Sequence, residues 1–169
     1  GRSAIVEALL VESAAGRDDR AIVGERAEGA YVSLVAAGKR EDAYSLASVV
    51  SVTWTGHDDA LAATWRGRCT ELATAEYDKA VADKRTDAAI RAAGRLEALA
   101  QARGDAVELK RWRAVRGDLY EQDARRLEGS DTPGLASESW RQAAEASRLS
   151  GDIAAARTRY ERAVAQADR

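Results

Sequence analysis

Residues 137–169 read SESWRQAAEASRLSGDIAAARTRYERAVAQADR, and the spacing of large, small and turn-forming residues in this stretch decides the fold. Trp140 and Ala144 lie four residues apart, so on a helix they share a face. Gly151 follows, and Ala156, Tyr160 and Ala163 then recur at intervals of four and three. Two helices joined at a glycine, each with small residues on one face and an aromatic among them, satisfy the needs of an antiparallel hairpin. Small residues let the helices touch, the aromatic fills the space beside the crossing, and glycine supplies the turn.

Working outward from this hairpin, the same punctuation recurs. Gly16, Gly56, Gly104 and Gly151 each stand where one helical pattern stops and another starts, and three of them precede a polar residue that can cap the next helix. The periodicity predicts about eight helices, near 3–15, 18–37, 41–54, 58–83, 87–102, 105–127, 133–150 and 153–168. Asp58, Thr86, Asp105 and Asp152 are expected caps, and Thr132-Pro133 reads as a cap followed by a first helical position. Paired at the glycines, the helices form four hairpins, about 3–38, 41–83, 87–127 and 133–168. One hairpin cannot bury its apolar face alone, so neighbours stack, and the chain is expected to be a single all-α domain over 1–169. Val49, Val50, Val52, Thr53 and Trp54 have strand propensity, but no second strand pattern exists to pair with them, so a buried helix is expected there.

The 137–169 stretch resembles a tetratricopeptide repeat. Trp140, Ala144, Gly151, Ala156, Tyr160 and Ala163 match the family's aromatic, small and turn positions. Ala143 and Ser147 depart from it, standing where the family has larger residues, and the expected consequence is weaker packing. Asp168 stands near the family's proline. The earlier hairpins are only faintly similar. Trp65 lies nine residues after Gly56, as Tyr160 does after Gly151, and Trp112 lies eight after Gly104. The resemblance implies an irregular superhelix whose first helices line a concave surface that grips an extended peptide or a helix. On that surface it places Arg91, Arg95 and Gln101 in the third hairpin, and Arg141, Glu145 and Arg148 in the fourth. Its Arg-rich half would favour a protein or peptide with an acidic segment. The family's clamp for a terminal carboxylate is not reproduced, because Glu145 stands where its asparagine would be.

Composition bounds the rest. The 169 residues include no Phe, no Met and one Pro, so long helices run uninterrupted and the core rests on Ala, Leu, Val and a few Trp and Tyr. With 26 basic and 28 acidic residues the net charge is −2, so no overall field draws the chain to nucleic acid or an anionic membrane. Only Lys39, Lys79, Lys84 and Lys110 are lysines, a bias typical of a GC-rich bacterial genome. The sequence opens on Gly-Arg-Ser without Met, which reads as a domain excised from a longer, cytoplasmic protein.

Few groups could carry chemistry. His57 adjoins Asp58 and Asp59, a juxtaposition that could serve acid–base work but that fits a capped helix start better. Cys69, flanked by Trp65 and Leu72, reads as a small buried thiol, and one Cys and one His cannot build a metal centre. Lys110, Arg111, Trp112, Arg113 and Arg116 form the densest basic cluster; Trp112 is expected to face the stack while Arg111, Arg113 and Arg116 spread over a solvated face. No phosphate loop or nucleophile motif occurs, and no cofactor is expected. These observations favour a non-catalytic interaction module over an enzyme, with self-association as a further expectation. The alternative is a ligand-sensing helical domain, whose mark would be a closed apolar pocket near Trp54, Trp65 and Trp112.

Overall fold

The computed structural model describes residues 17–130 and 132–168, with side chains from Arg26 onward. The expected first helix, 3–15, and the turn at Gly16 lie outside the described residues. Among the described residues the chain is all-helical, with seven helices: α1 Arg17–Ala36, α2 Arg40–Trp54, α3 Asp59–Ala82, α4 Thr86–Arg103, α5 Ala106–Glu128, α6 Pro133–Ser150 and α7 Ile153–Ala167. Neighbours pack in sequence order, α1 on α2, α4 on α5, α5 on α6 and α6 on α7, as an array of helical hairpins does. The residues fall into two compact units, Gly1–Leu72 and Ala73–Arg169, taken in turn below.

The helix ends show why these boundaries fall where they do. At Gly104 and Gly151 the chain turns left-handed, with φ of +68° and +88°. The next residue's N–H then reaches back to a carbonyl five residues earlier: Asp105 to Ala100 at 3.0 Å, and Asp152 to Ser147 at 2.9 Å. Each aspartate next caps the following helix, Asp105 accepting from the Glu108 N–H at 3.0 Å and Asp152 from that of Ala155 at 2.9 Å. Asp58 caps α3 by accepting from the Leu61 N–H, and Asp59 reaches back to the Gly56 N–H, both at 2.9 Å. Two expected caps are corrected. Thr86 is the first residue of α4, Arg85 precedes it, and no side chain caps that helix. Pro133 does open α6, but the Thr132 side chain makes no capping hydrogen bond. Between α3 and α4 the left-handed position is taken by Lys84, at φ +56°, with Arg85 N–H bonded to the Ala80 carbonyl at 2.8 Å.

In the first unit, α2 buries Ala43, Leu46, Ala47, Val50, Ser51 and Trp54, one continuous helical stripe, and leaves Val49 and Val52 outside. The strand-prone stretch is therefore helical, as expected. Thr53 and Thr55 return their hydroxyls to the carbonyls of Val49 and Ser51, which adapts threonine to a helix. Opposite, Trp65 of α3 meets Tyr31 of α1 edge to face, ring centres 5.6 Å apart.

In the second unit the core is largely alanine, so helices touch almost backbone to backbone. Tyr77 of α3 meets Trp112 of α5 edge to face at 5.3 Å. Ala124, Trp140 and Ala163 form a cluster joining α5, α6 and α7. At Gly117 of α5 the helices come close: an added Cβ would lie 2.8 Å from Arg159 Nη1, 3.4 Å from Ser147 Oγ and 3.5 Å from the Ala143 carbonyl oxygen. Ala143 and Ser147 are buried there. Their small size does not loosen the packing as expected; it permits this crossing, and Ser147 satisfies its hydroxyl on the Ala143 carbonyl at 2.9 Å.

Candidate functional site

The residues assigned to the concave surface lie on α4 and α6, and the arginines among them are held by carboxylates. Arg91 pairs with Asp87 at 3.1 Å, one turn earlier. Arg95 is drawn to Glu76 of α3 at 2.6 Å, and Gln101 is exposed near the end of α4. On α6, Arg141 grips Glu138 through two nitrogens at 2.8 and 2.7 Å. Arg148 grips Glu145 in the same way at 2.9 and 2.6 Å, and the Tyr160 hydroxyl of α7 donates to Glu145 at 3.0 Å. Glu145 and Arg148 are thus brought together as one unit. Hydrogen bonds from Arg141 and Gln142 hold the Glu138 carboxyl down at about 2, and those from Arg148 and Tyr160 hold Glu145 down at about 2. The α6 face is therefore a row of alternating, fixed charges rather than the cationic strip expected from the arginines alone.

The basic cluster on α5 also differs from expectation. Arg111 is exposed and pairs with Glu108, but Arg113 and Arg116 turn toward α4 and share one carboxylate, Glu97, Arg113 at 3.1 Å. Only 12% of the Glu97 side chain is exposed, and Arg113 also donates to the Leu149 carbonyl of α6 at 3.2 Å. This Arg–Glu–Arg triad is an internal joint between α4, α5 and α6. It is not a solvated face, and with both guanidinium groups engaged it is not a phosphate surface either.

A second feature has no counterpart in the sequence expectations. A cleft of about 410 Å³ opens between α5 and α7, with Trp140 of α6 in its wall. Glu121, Arg125 and Glu128 line one side; Ala155, Thr158, Arg159 and Arg162 line the other. Arg159 is fixed on three sides: Nε donates to Glu121 at 2.7 Å, Nη2 to Asp118 at 2.7 Å, and Nη1 to the Ser147 hydroxyl. The Trp140 indole N–H donates to Glu128 at 2.8 Å, and Gln166 donates to the same oxygen at 2.9 Å. A signal for the cleft does exist in the sequence. Residues 121, 125 and 128, and residues 155, 158, 159 and 162, each recur at one-face spacing on a second helix of a hairpin.

The remaining chemical groups are structural. Asp58 and Asp59 are spent on the α3 cap, with His57 in the turn before them. Cys69 is buried, its thiol 4.0 Å from the Tyr44 carbonyl of α2, and burial pushes its pKa up to about 11. Two of the three rings near which a closed pocket was anticipated are packed on other side chains: Arg68 lies 4.3 Å from the Trp65 ring and 4.7 Å from Tyr31, its fork meeting Glu28 at 2.6 and 2.8 Å, and Trp112 lies against Tyr77. Among the described residues no group of three or more His, Cys, Asp or Glu side chains could hold a metal ion, and no helix is long and apolar enough to cross a membrane. Compared with family models, with curated proteins and with solved structures, the chain finds no match.

Proposed function

We propose that this chain is a non-catalytic protein-interaction module of tetratricopeptide type, an adaptor or regulatory or assembly part of a bacterial cytoplasmic protein, and that it receives an extended peptide or a helix on a concave surface lined by α4 and α6. The observation that carries this reading is the paired row on α6. Arg141 and Arg148 are each held in a two-pronged grip by a carboxylate three residues earlier, and Tyr160 braces one of those carboxylates from the neighbouring helix. Side chains ordered in advance lose less entropy when a partner docks, and each guanidinium keeps N–H donors that its carboxylate does not use. The same row presents Glu138 and Glu145, so the partner it suits has an acidic segment with basic residues interleaved. The test begins with affinity capture from the source organism. The captured partner is then titrated against the triple variant Arg95→Glu, Arg141→Glu and Arg148→Glu. A loss of roughly tenfold or more is expected; unchanged affinity would sink the assignment of this face.

A further inference from the structure

The cleft between α5 and α7 is independent of the outward-facing charges of α4 and α6, and among its lining cations one guanidinium has no protein partner among the described residues. Glu121 gives one oxygen to Arg125 and the other to Arg159. Glu128 already accepts from Trp140 and Gln166. On the donor side, a guanidinium has five N–H groups. Arg125 uses one nitrogen on Glu121, and Arg162 has no partner among the described residues. These two side chains stand on opposite helices of the cleft, both reaching solvent. What Arg162 lacks among the described residues is an acceptor. Arg125 and Arg159 are matched by Glu121 and by Asp118 beside the cleft, so the charge without a carboxylate partner among the described residues is that of Arg162; one such cation suits a monoanion and leaves a dianion facing Glu121 and Glu128. The indole of Trp140 and the methyl of Ala155 add apolar wall beside that charge. At about 410 Å³ the volume falls within the roughly 300–1,000 Å³ of small-ligand sites.

We propose that this cleft is a carboxylate-binding site, in which Arg125 and Arg162 clamp one carboxylate from the two sides while the organic part attached to it rests against Trp140 and Ala155. The planar fork of arginine matches the two oxygens of a carboxylate, and the rigid Arg159 network supplies the floor on which the clamp is built. The carboxylate could be delivered by a free small acid or by an acidic side chain of a peptide, and both present the same group.

Calorimetric titration with three probes tests the proposal: benzoate, an end-blocked hexapeptide with one central glutamate, and inorganic phosphate. Benzoate or the peptide is expected to bind at one site per chain. Tighter benzoate identifies a small acid as the source, and a tighter peptide identifies an acidic segment. Arg162→Gln, which breaks no bond within the described residues, and the double variant Arg125→Gln, Arg162→Gln should each weaken that binding, the double by roughly tenfold or more. Arg157→Gln, on the same helix but paired with Glu161 outside the cleft, should leave it unchanged. Absence of binding by both organic probes at millimolar concentration overturns the proposal, as does equal binding by the Arg162→Gln protein or phosphate binding as tightly as benzoate. Because neither variant touches α4 or the paired row on α6, capture of a protein partner by those faces is read separately.

Discussion

At the scale of single residues, the decisive groups are those whose surroundings contradict their ordinary behaviour. Cys69 lies buried with its thiol pushed up to about 11, so almost none is thiolate near neutral pH. A thiol reagent at pH 8 is expected to leave the folded chain unlabelled and to label it fully in denaturant; stoichiometric labelling of the native protein would refute the burial. Glu97 is the second such residue. It is shared by two arginines at the junction of α4 and α5, and Glu97→Ala would leave both facing each other without the carboxylate between them. Removing one partner of a buried ionic group costs about 3–5 kcal/mol, and the lower end applies here because the Arg113 and Arg116 side chains keep 22% and 27% exposure. Urea denaturation measures that loss. Replacing all three members by leucine should recover most of it, since well-packed apolar residues substitute for buried ion pairs at little cost. None of this triad was legible in the sequence. Arg113 and Arg116 were visible as a basic cluster, but their partner lies 16 and 19 residues away, and local spacing cannot say which way a long side chain turns.

At the scale of elements, legibility was high, and for a local reason. Turn glycines and capping aspartates act within five residues, so Gly104-Asp105 and Gly151-Asp152 announced both the end of one helix and the start of the next. The boundary between α3 and α4 carried no such mark because Lys84 takes the left-handed position there. A side chain in that conformation costs about 1–2 kcal/mol, partly offset in the alternative by the greater flexibility of an unfolded glycine. Lys84→Gly is therefore expected to raise stability by about 0.5–1 kcal/mol, whereas Asp105→Ala or Asp152→Ala should lower it by about 1 kcal/mol, all by chemical denaturation. The α6 pairs give a pH signature. Glu138 and Glu145 titrate at about 2 in the folded chain against 4.5 for an ordinary glutamate, so the stability they contribute is complete above the higher value and is lost as pH falls through the lower one. Carboxyl resonances of the two residues should titrate well below those of unpaired glutamates; midpoints near 4.5 would mean the pairs do not form.

At the scale of the whole molecule, the all-α array of hairpins was readable from the residues around Trp140, and helices α1 to α7 follow the predicted spans closely. The surface proposed for a partner was readable only in part. Residues 91, 95, 101, 141, 145 and 148 do lie on α4 and α6, but the count of arginines overstated the positive charge because their carboxylate partners sit one turn away or on the neighbouring helix. The cleft escaped notice because it is made by the second helices of two successive hairpins, which approach only after the array is stacked.

The position of Trp140 also makes the molecule its own optical gauge. Its indole lines the cleft with the ring nitrogen pinned to Glu128, whereas Trp65 and Trp112 lie against tyrosines elsewhere. In a chain where Trp54, Trp65 and Trp112 are replaced by phenylalanine, the remaining emission would follow filling of the cleft, shifting in wavelength or intensity as a carboxylate displaces solvent from beside the ring. Such a single-tryptophan chain would allow candidate ligands to be ranked in a cuvette, with no label attached.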